Sequence, residues 1–300
     1  MRNDLAKRPG MARNIFSKLL IVGLAVFIAL PAWNLAAEPH WLPFDQNTAV
    51  LLLEKVVATR LIPYEVKSEG MTLRVTRLNS LQMDWAQAQF TLDCEFTVDY
   101  QKSILNLHQG GQVALTGAGL LAPAEQKLGV RLLQIKELRL EGTPTLVGEA
   151  ARRVLDKGLS GKEYWYGGVA PETSQILTQD NFYQLLQVAI NRILPVSGAE
   201  EGSTFTLNRL DELAPGHDPG QFEARFDLHG TYKKIVSFAF DGQAAVGVHA
   251  WVDPLEMVTL IRIDEVNELH MDHTPGIVSG IVRNLINGKL KGKEIHYTWQ

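Results

Sequence analysis

Residues Glu137–Tyr166 read ELRLEGTPTLVGEAARRVLDKGLSGKEYWY, and residues Glu268–Tyr297 read ELHMDHTPGIVSGIVRNLINGKLKGKEIHY. The two stretches align without a gap at an offset of 131, and eleven of the 30 positions are identical. The shared residues include Thr143-Pro144 and Thr274-Pro275, Arg152 and Arg283, and Gly161-Lys162-Glu163 and Gly292-Lys293-Glu294. Self-similarity at a fixed period marks a duplicated structural unit. The match extends upstream. Gly111-Gln112 pairs with Gly242-Gln243 at the same offset, and Phe90 and Tyr100 pair with Phe222 and Tyr232 at 132. Arg60 and Pro63 pair likewise with Arg192 and Pro195. The chain therefore holds two copies, roughly 44–166 and 176–297, joined at the Gly/Pro-rich segment Tyr166-Gly167-Gly168-Val169-Ala170-Pro171.

Each copy reads as a helix, a four-stranded antiparallel sheet and a second helix, an α+β unit. The opening helices are expected at Asn47–Ile62 and Asn181–Leu194, the latter with Phe182, Leu185, Leu186, Ala189, Ile190 and Ile193 on one face. Strands with strict alternation follow. Phe90, Leu92, Cys94, Phe96, Val98 and Tyr100 alternate with polar neighbours, as do Phe222, Ala224, Phe226, Leu228, Gly230 and Tyr232. Twelve residues at about 3.3 Å each give a strand of about 40 Å, apolar on one face and solvated on the other. Further long strands are expected at 104–121 and 127–141, matched by 235–252 and 256–272. A slip in alternation near Leu132-Leu133 points to a bulge and a bent sheet. The closing helices begin at Thr-Pro, with Thr143 and Thr274 as N-caps and proline in the first turn, where a missing N–H costs nothing. Two arrangements satisfy this pattern: a closed core, or a bent sheet that leaves an apolar groove against its helices. In the second, the groove residues are Phe90, Leu92, Phe96, Val98, Phe222, Phe226 and Leu228.

Upstream of the duplication, Leu19–Trp33 is an uncharged run of 15 residues preceded by Arg13 and Lys18. A basic stretch before a short apolar core is the pattern of an export segment. It is shorter than the roughly 20 residues of a full span, so residues 1–37 are expected to act as a cleaved signal or as an uncleaved anchor in the bacterial inner membrane. Either places residues 38–168 and 169–300, the two units, in the periplasm. The 300 residues carry 29 basic and 33 acidic groups. Removing the five basic and one acidic groups of residues 1–37 leaves 24 against 32, a net of −8. That argues against a nucleic-acid partner, which needs cations to neutralise phosphates.

No catalytic motif is present: no Gly-x-Ser-x-Gly, His-Glu-x-x-His or phosphate loop occurs. The single cysteine, Cys94, excludes an intrachain disulfide and a zinc site built on several thiolates. His270-x-Asp272-His273 has the residue types for a metal site. Copy one has Arg139, Glu141 and Gly142 at the equivalent positions, so the duplication does not preserve it and neither a metal nor a cofactor is expected. Lys162 and Trp165, with Lys293 and Trp299, follow the closing helices and offer cations beside aromatics. That combination suits either a headgroup interface or packing at the end of a unit.

Several of these residues carry a resemblance. Leu177-Thr178-Gln179-Asp180-Asn181 before a helix, the long alternating strand pair, the Ala122-Pro123 turn and the strand leading into a proline-initiated helix resemble the YceB-like family of bacterial lipoproteins. The chain departs from that pattern in being duplicated, in lacking a lipobox cysteine, and in opening its first copy with Phe44-Asp45-Gln46-Asn47. The resemblance implies a fold similar to tubular lipid-binding (TULIP-like) proteins and an apolar groove whose partner is a lipid or other apolar small molecule. It brings no enzymatic activity.

Overall fold

The computed structural model describes residues 40–299, apart from 69, 103–104, 141, 143–144, 201, 234–236 and 273–275. The expected export segment and the two expected Thr-Pro helix starts lie outside the described residues. Alternation of large apolar and polar side chains builds the long strands. In the first half these are β3 (Met71–Asp84), β4 (Gln89–Lys102), β5 (Leu105–Ala122) and β6 (Lys127–Leu140). Short edge strands β2 (Tyr64–Ser68) and β7 (Glu163–Trp165) extend the sheet on either side, in the order β2-β3-β4-β5-β6-β7. The second half repeats this with β9 (Val196–Glu200), β10 (Ser203–Pro215), β11 (Gln221–Tyr232), β12 (Phe238–Asp253), β13 (Val258–Met271) and β14 (Glu294–Thr298). Four long strands per half match the expected number, and the edge strands are additions. The result is two bent antiparallel sheets with few helices, an α+β fold.

The bends have a common cause. Pairing skips Thr76 and Asn79 between β3 and β4, and Leu133 and Lys136 between β5 and β6. In the second half the register breaks at the equivalent places, around Asn208 and Asp211 and at Asp264 and Asn267. Each bulge adds a residue to one strand and sharpens the local twist, which curls the sheet. Backbone groups near the bulges find side-chain partners. Arg152 donates to the Ile135 carbonyl at 3.0 Å and Arg283 to that of Val266 at 2.8 Å, while Asn287 accepts the Val266 N–H at 2.7 Å. An arginine shared by both copies thus serves a bulge shared by both sheets. The shared glycine has a similar explanation. Gly161 and Gly292 sit at φ +76° and +77°, and their N–H groups donate to Leu132 and Ile263. They turn the chain from helix back onto the sheet edge.

Two helices line the apolar face of each sheet. In the first half they are α1 (Gln46–Val56) and α2 (Thr145–Leu159), with Asp45 capping α1 by accepting from the Thr48 N–H at 3.0 Å. In the second half the opening helix divides at Tyr183 into α3 (Gln179–Phe182) and α4 (Gln184–Ile193), and α5 (Gly276–Leu290) closes the half. The expected helix over Asn47–Ile62 is α-helical only to Val56; Val57–Leu61 form a π-helical turn. The helix caps, Asp45 and Thr178, are 133 residues apart, whereas Arg60 and Arg192 are 132 apart. The first copy therefore carries one extra residue in this helix, and a π turn absorbs such an insertion while leaving both flanks in register.

Residues Trp41–Gln300 form one compact unit, and the halves are interlocked within it. β1 (Leu42–Pro43) precedes the first half but pairs with β12, at Val252 and Trp251. β8 (Gln175–Ile176) precedes the second half but pairs with β5, at Leu121 and Leu120. The exchange continues one residue on: Phe44 N–H donates to the Ala250 carbonyl at 3.0 Å and Leu177 N–H to that of Gly119 at 2.8 Å. Phe44 and Phe182 stack with centroids 4.6 Å apart at the seam, and Phe222 meets Phe44 edge-on at 6.4 Å. Arg192 binds the Tyr297 hydroxyl at 2.6 Å and reaches the Ala124 carbonyl of the other half at 3.1 Å. Among the described residues no helix is long and apolar enough to cross a membrane.

Candidate ligand-binding site

The expected groove residues all point to the helix-covered face of their sheet. Phe90, Leu92, Phe96 and Val98 are fully buried in the first half, and Leu228 is fully buried in the second. Phe222 belongs to the seam, edge-on to Tyr183 at 5.3 Å. Phe226 lines a wholly apolar cavity, which lies in the second half where α4 ends and β9 begins. Ile190 and Ile193 come from α4, Val196 from β9, Val248 from β12, Ile261 from β13, and Ile295 from the edge strand β14. Every lining side chain is apolar, and the enclosed space is about 20 Å³.

The first half differs at this place. Tyr64 and Tyr164 stand where the second half has Val196 and Ile295, and Cys94 where it has Phe226. Both tyrosine rings pack against the core. Tyr64 donates its hydroxyl to the Gly158 carbonyl at 2.7 Å, whereas the Tyr164 hydroxyl is buried with no partner among the described residues. Burial pushes the Tyr164 phenol up to about 12, with Tyr64 nearby adding to it. Burial likewise pushes the Cys94 thiol up to about 12, and the Asp93 charge contributes. A thiol held neutral in this way is a core group and not a nucleophile.

Lys162 extends its ammonium over the Tyr64 ring, 5.5 Å from the centroid and 3.3 Å from the hydroxyl. Trp165 is buried beside Leu120 and Ala122, and its indole donates to Glu163 at 3.1 Å. Arg131, 2.5 Å from Glu163, holds that carboxyl below its ordinary range. Trp299 is buried and donates to Thr259 at 2.8 Å, while Lys293 is exposed. Neither indole presents a free ring to a headgroup. His270 and Asp272 lie 3.7 Å apart on the surface, and His273 falls outside the described residues. Among the described residues no three His, Cys, Asp or Glu side chains come together to hold a metal.

Reading the sequence strand by strand marked Phe226 but missed Val196 and Ile295, because neither lies on a long alternating strand. The available signal was the comparison of copies, in which aliphatic residues replace two tyrosines.

No family model and no curated protein matches the chain, so the resemblance to the YceB-like family stands on the residues quoted for it. Among solved structures, the chain is similar to lipopolysaccharide binding protein at 9% identity, with 82% of this chain and 86% of that one covered and a TM-score of 0.21. It is also similar to P47 of Clostridium botulinum E1 at 6% identity, with 83% and 86% covered and a TM-score of 0.22.

Proposed function

We propose that the protein is a non-catalytic, periplasmic binder of an apolar chain, taken up between α4, β14 and the sheet of its second half. The wholly apolar lining of that cavity, at a place the first half fills with Tyr64 and Tyr164, carries the reading. An apolar ligand entering such a site leaves no polar group unpaired and removes its own surface from water. A space of about 20 Å³ is far below the roughly 300–1,000 Å³ of a preformed small-molecule site. Uptake therefore requires the walls to part, and the geometry favours the β14 side, since a five-residue edge strand has a neighbour on one side only. Location in the periplasm, and anchorage to the inner membrane if the segment is uncut, belong to the same proposal and rest on residues 13–37.

The test transplants the tyrosines. Val196→Tyr/Ile295→Tyr places the first half's residues in the second. Full-length protein should bind N-phenyl-1-naphthylamine and carry extractable apolar material in native mass spectrometry. The double variant should lose at least tenfold in affinity with an unchanged near-ultraviolet spectrum. Equal binding by both proteins would remove the cavity from the account. No binding by either would favour a second reading, a structural protein with closed cores acting through its surface, for which the small enclosed volume speaks.

A further inference from the structure

On the outside of the first half, α2 and the edge strand β2 enclose a groove of about 480 Å³, within the size range of ligand sites. The two elements are pinned at one end by the Tyr64–Gly158 hydrogen bond. A Cβ at Gly158 would stand 2.9 Å from the Tyr64 hydroxyl and 3.2 Å from Val66, so glycine sets the close approach there. The apolar wall is made by Val66 of β2 and Ala150 and Val154 of α2, all half-buried. Arg153 and Lys157 line the same groove four residues apart on α2. Neither is joined by an ion pair to a described residue, whereas the neighbouring Lys67 is already paired with Glu65 at 2.8 Å. Two turns up the same helix face, Leu146 is 77% exposed. From Leu146 to Lys157 the helix rises roughly 16 Å.

The surface thus combines an apolar track with two cations at one end that no described residue pairs, on a body whose overall charge is negative. The second half lacks it. Gly198, Asn284 and Gly288 occupy the positions of Val66, Arg153 and Lys157, and Lys289 lies 3.9 Å from Glu200. We propose that the α2–β2 groove binds a single anionic amphiphile. Its carboxylate or phosphate pairs with Arg153 and Lys157, and its chain lies along Val66, Ala150 and Val154 toward Leu146. Charge-assisted hydrogen bonds from a guanidinium favour such a headgroup, and the chain covers apolar surface that water otherwise touches. This site is separate from the cavity of the second half and does not rest on it.

The experiment titrates the full chain with monomeric dodecanoate and, in parallel, with dodecyltrimethylammonium, by calorimetry. Wild type should prefer dodecanoate at least tenfold. Arg153→Glu/Lys157→Glu should abolish that preference, with Arg153→Gln/Lys157→Gln as the milder variant should charge reversal disturb folding. Val196→Tyr/Ile295→Tyr should leave the preference intact, which separates this site from the cavity. Retention of wild-type affinity in the charge variants, or equal affinity for the two head charges, overturns the proposal. Binding of anionic phosphatidylglycerol vesicles without uptake of monomeric dodecanoate overturns it too, and assigns the face to a membrane surface.

Discussion

Cys94 and Tyr164 show how single residues in this fold answer to burial. Both were placed by the pleat of a strand, and in both the neutral form is favoured because charge is costly in a dry core. The sign of the consequence follows from linkage. The folded thiol keeps its proton to about 12, while an unfolded one releases it near its ordinary value of 9. Between those limits the unfolded chain binds fewer protons, so stability falls as pH rises above about 9 and is untouched below it. Urea midpoints of wild type and Cys94→Ala, taken from pH 7 to 11, should show wild type losing its advantage at up to about 1.4 kcal/mol per pH unit above pH 9. A difference constant with pH would contradict the burial argument. Tyr164 carries a second cost, a buried hydroxyl without a partner among the described residues, of about 1–3 kcal/mol.

At the scale of elements, the two sheets owe their curvature to bulges at equivalent positions and their tight strand pairing to glycines under aromatic rings. Gly117 lies opposite Phe90, and a Cβ there would fall 2.4 Å from the phenyl ring and 2.7 Å from the Arg131 carbonyl. The backbone contact cannot be relieved by a rotamer change, so Gly117→Ala should cost about 1–3 kcal/mol through overpacking. Denaturant unfolding checks this, and Gly110→Ala, where a Cβ meets nothing within 4 Å, is the control. Alternation and the slip at Leu132-Leu133 announce the long strands and a bend. The π turn at Val57–Leu61 is less visible, because Val50 to Leu53 and Val56-Val57 are apolar on more than one face, so the phase shift of a one-residue insertion leaves no clear break in the pattern.

At the scale of the whole molecule, reciprocal exchange of β1 and β8 makes each half complete the other's sheet. Phe44 sits at the centre of that exchange, packed on Phe182 and Phe222 and bonded through its backbone to Ala250. Phe44→Ala should lower stability by about 3–5 kcal/mol. Calorimetry should show a single transition shifted downward, because the lost contacts belong to both halves. An undisturbed second transition at the wild-type temperature would mean that the halves unfold independently.

The internal likeness of the two halves, the α+β class, the long half-solvated strands and the buried faces of the helices are legible in the sequence alone, because they depend on periodicity and identity along the chain. The interlock does not, since two-residue strands such as Leu42–Pro43 and Gln175–Ile176 are too short to carry a period. The cavity beside Phe226 and the groove beside Arg153 were likewise decided only in three dimensions. Each is a difference in side-chain volume or charge summed over residues far apart in the chain, and local pattern holds no record of such a sum.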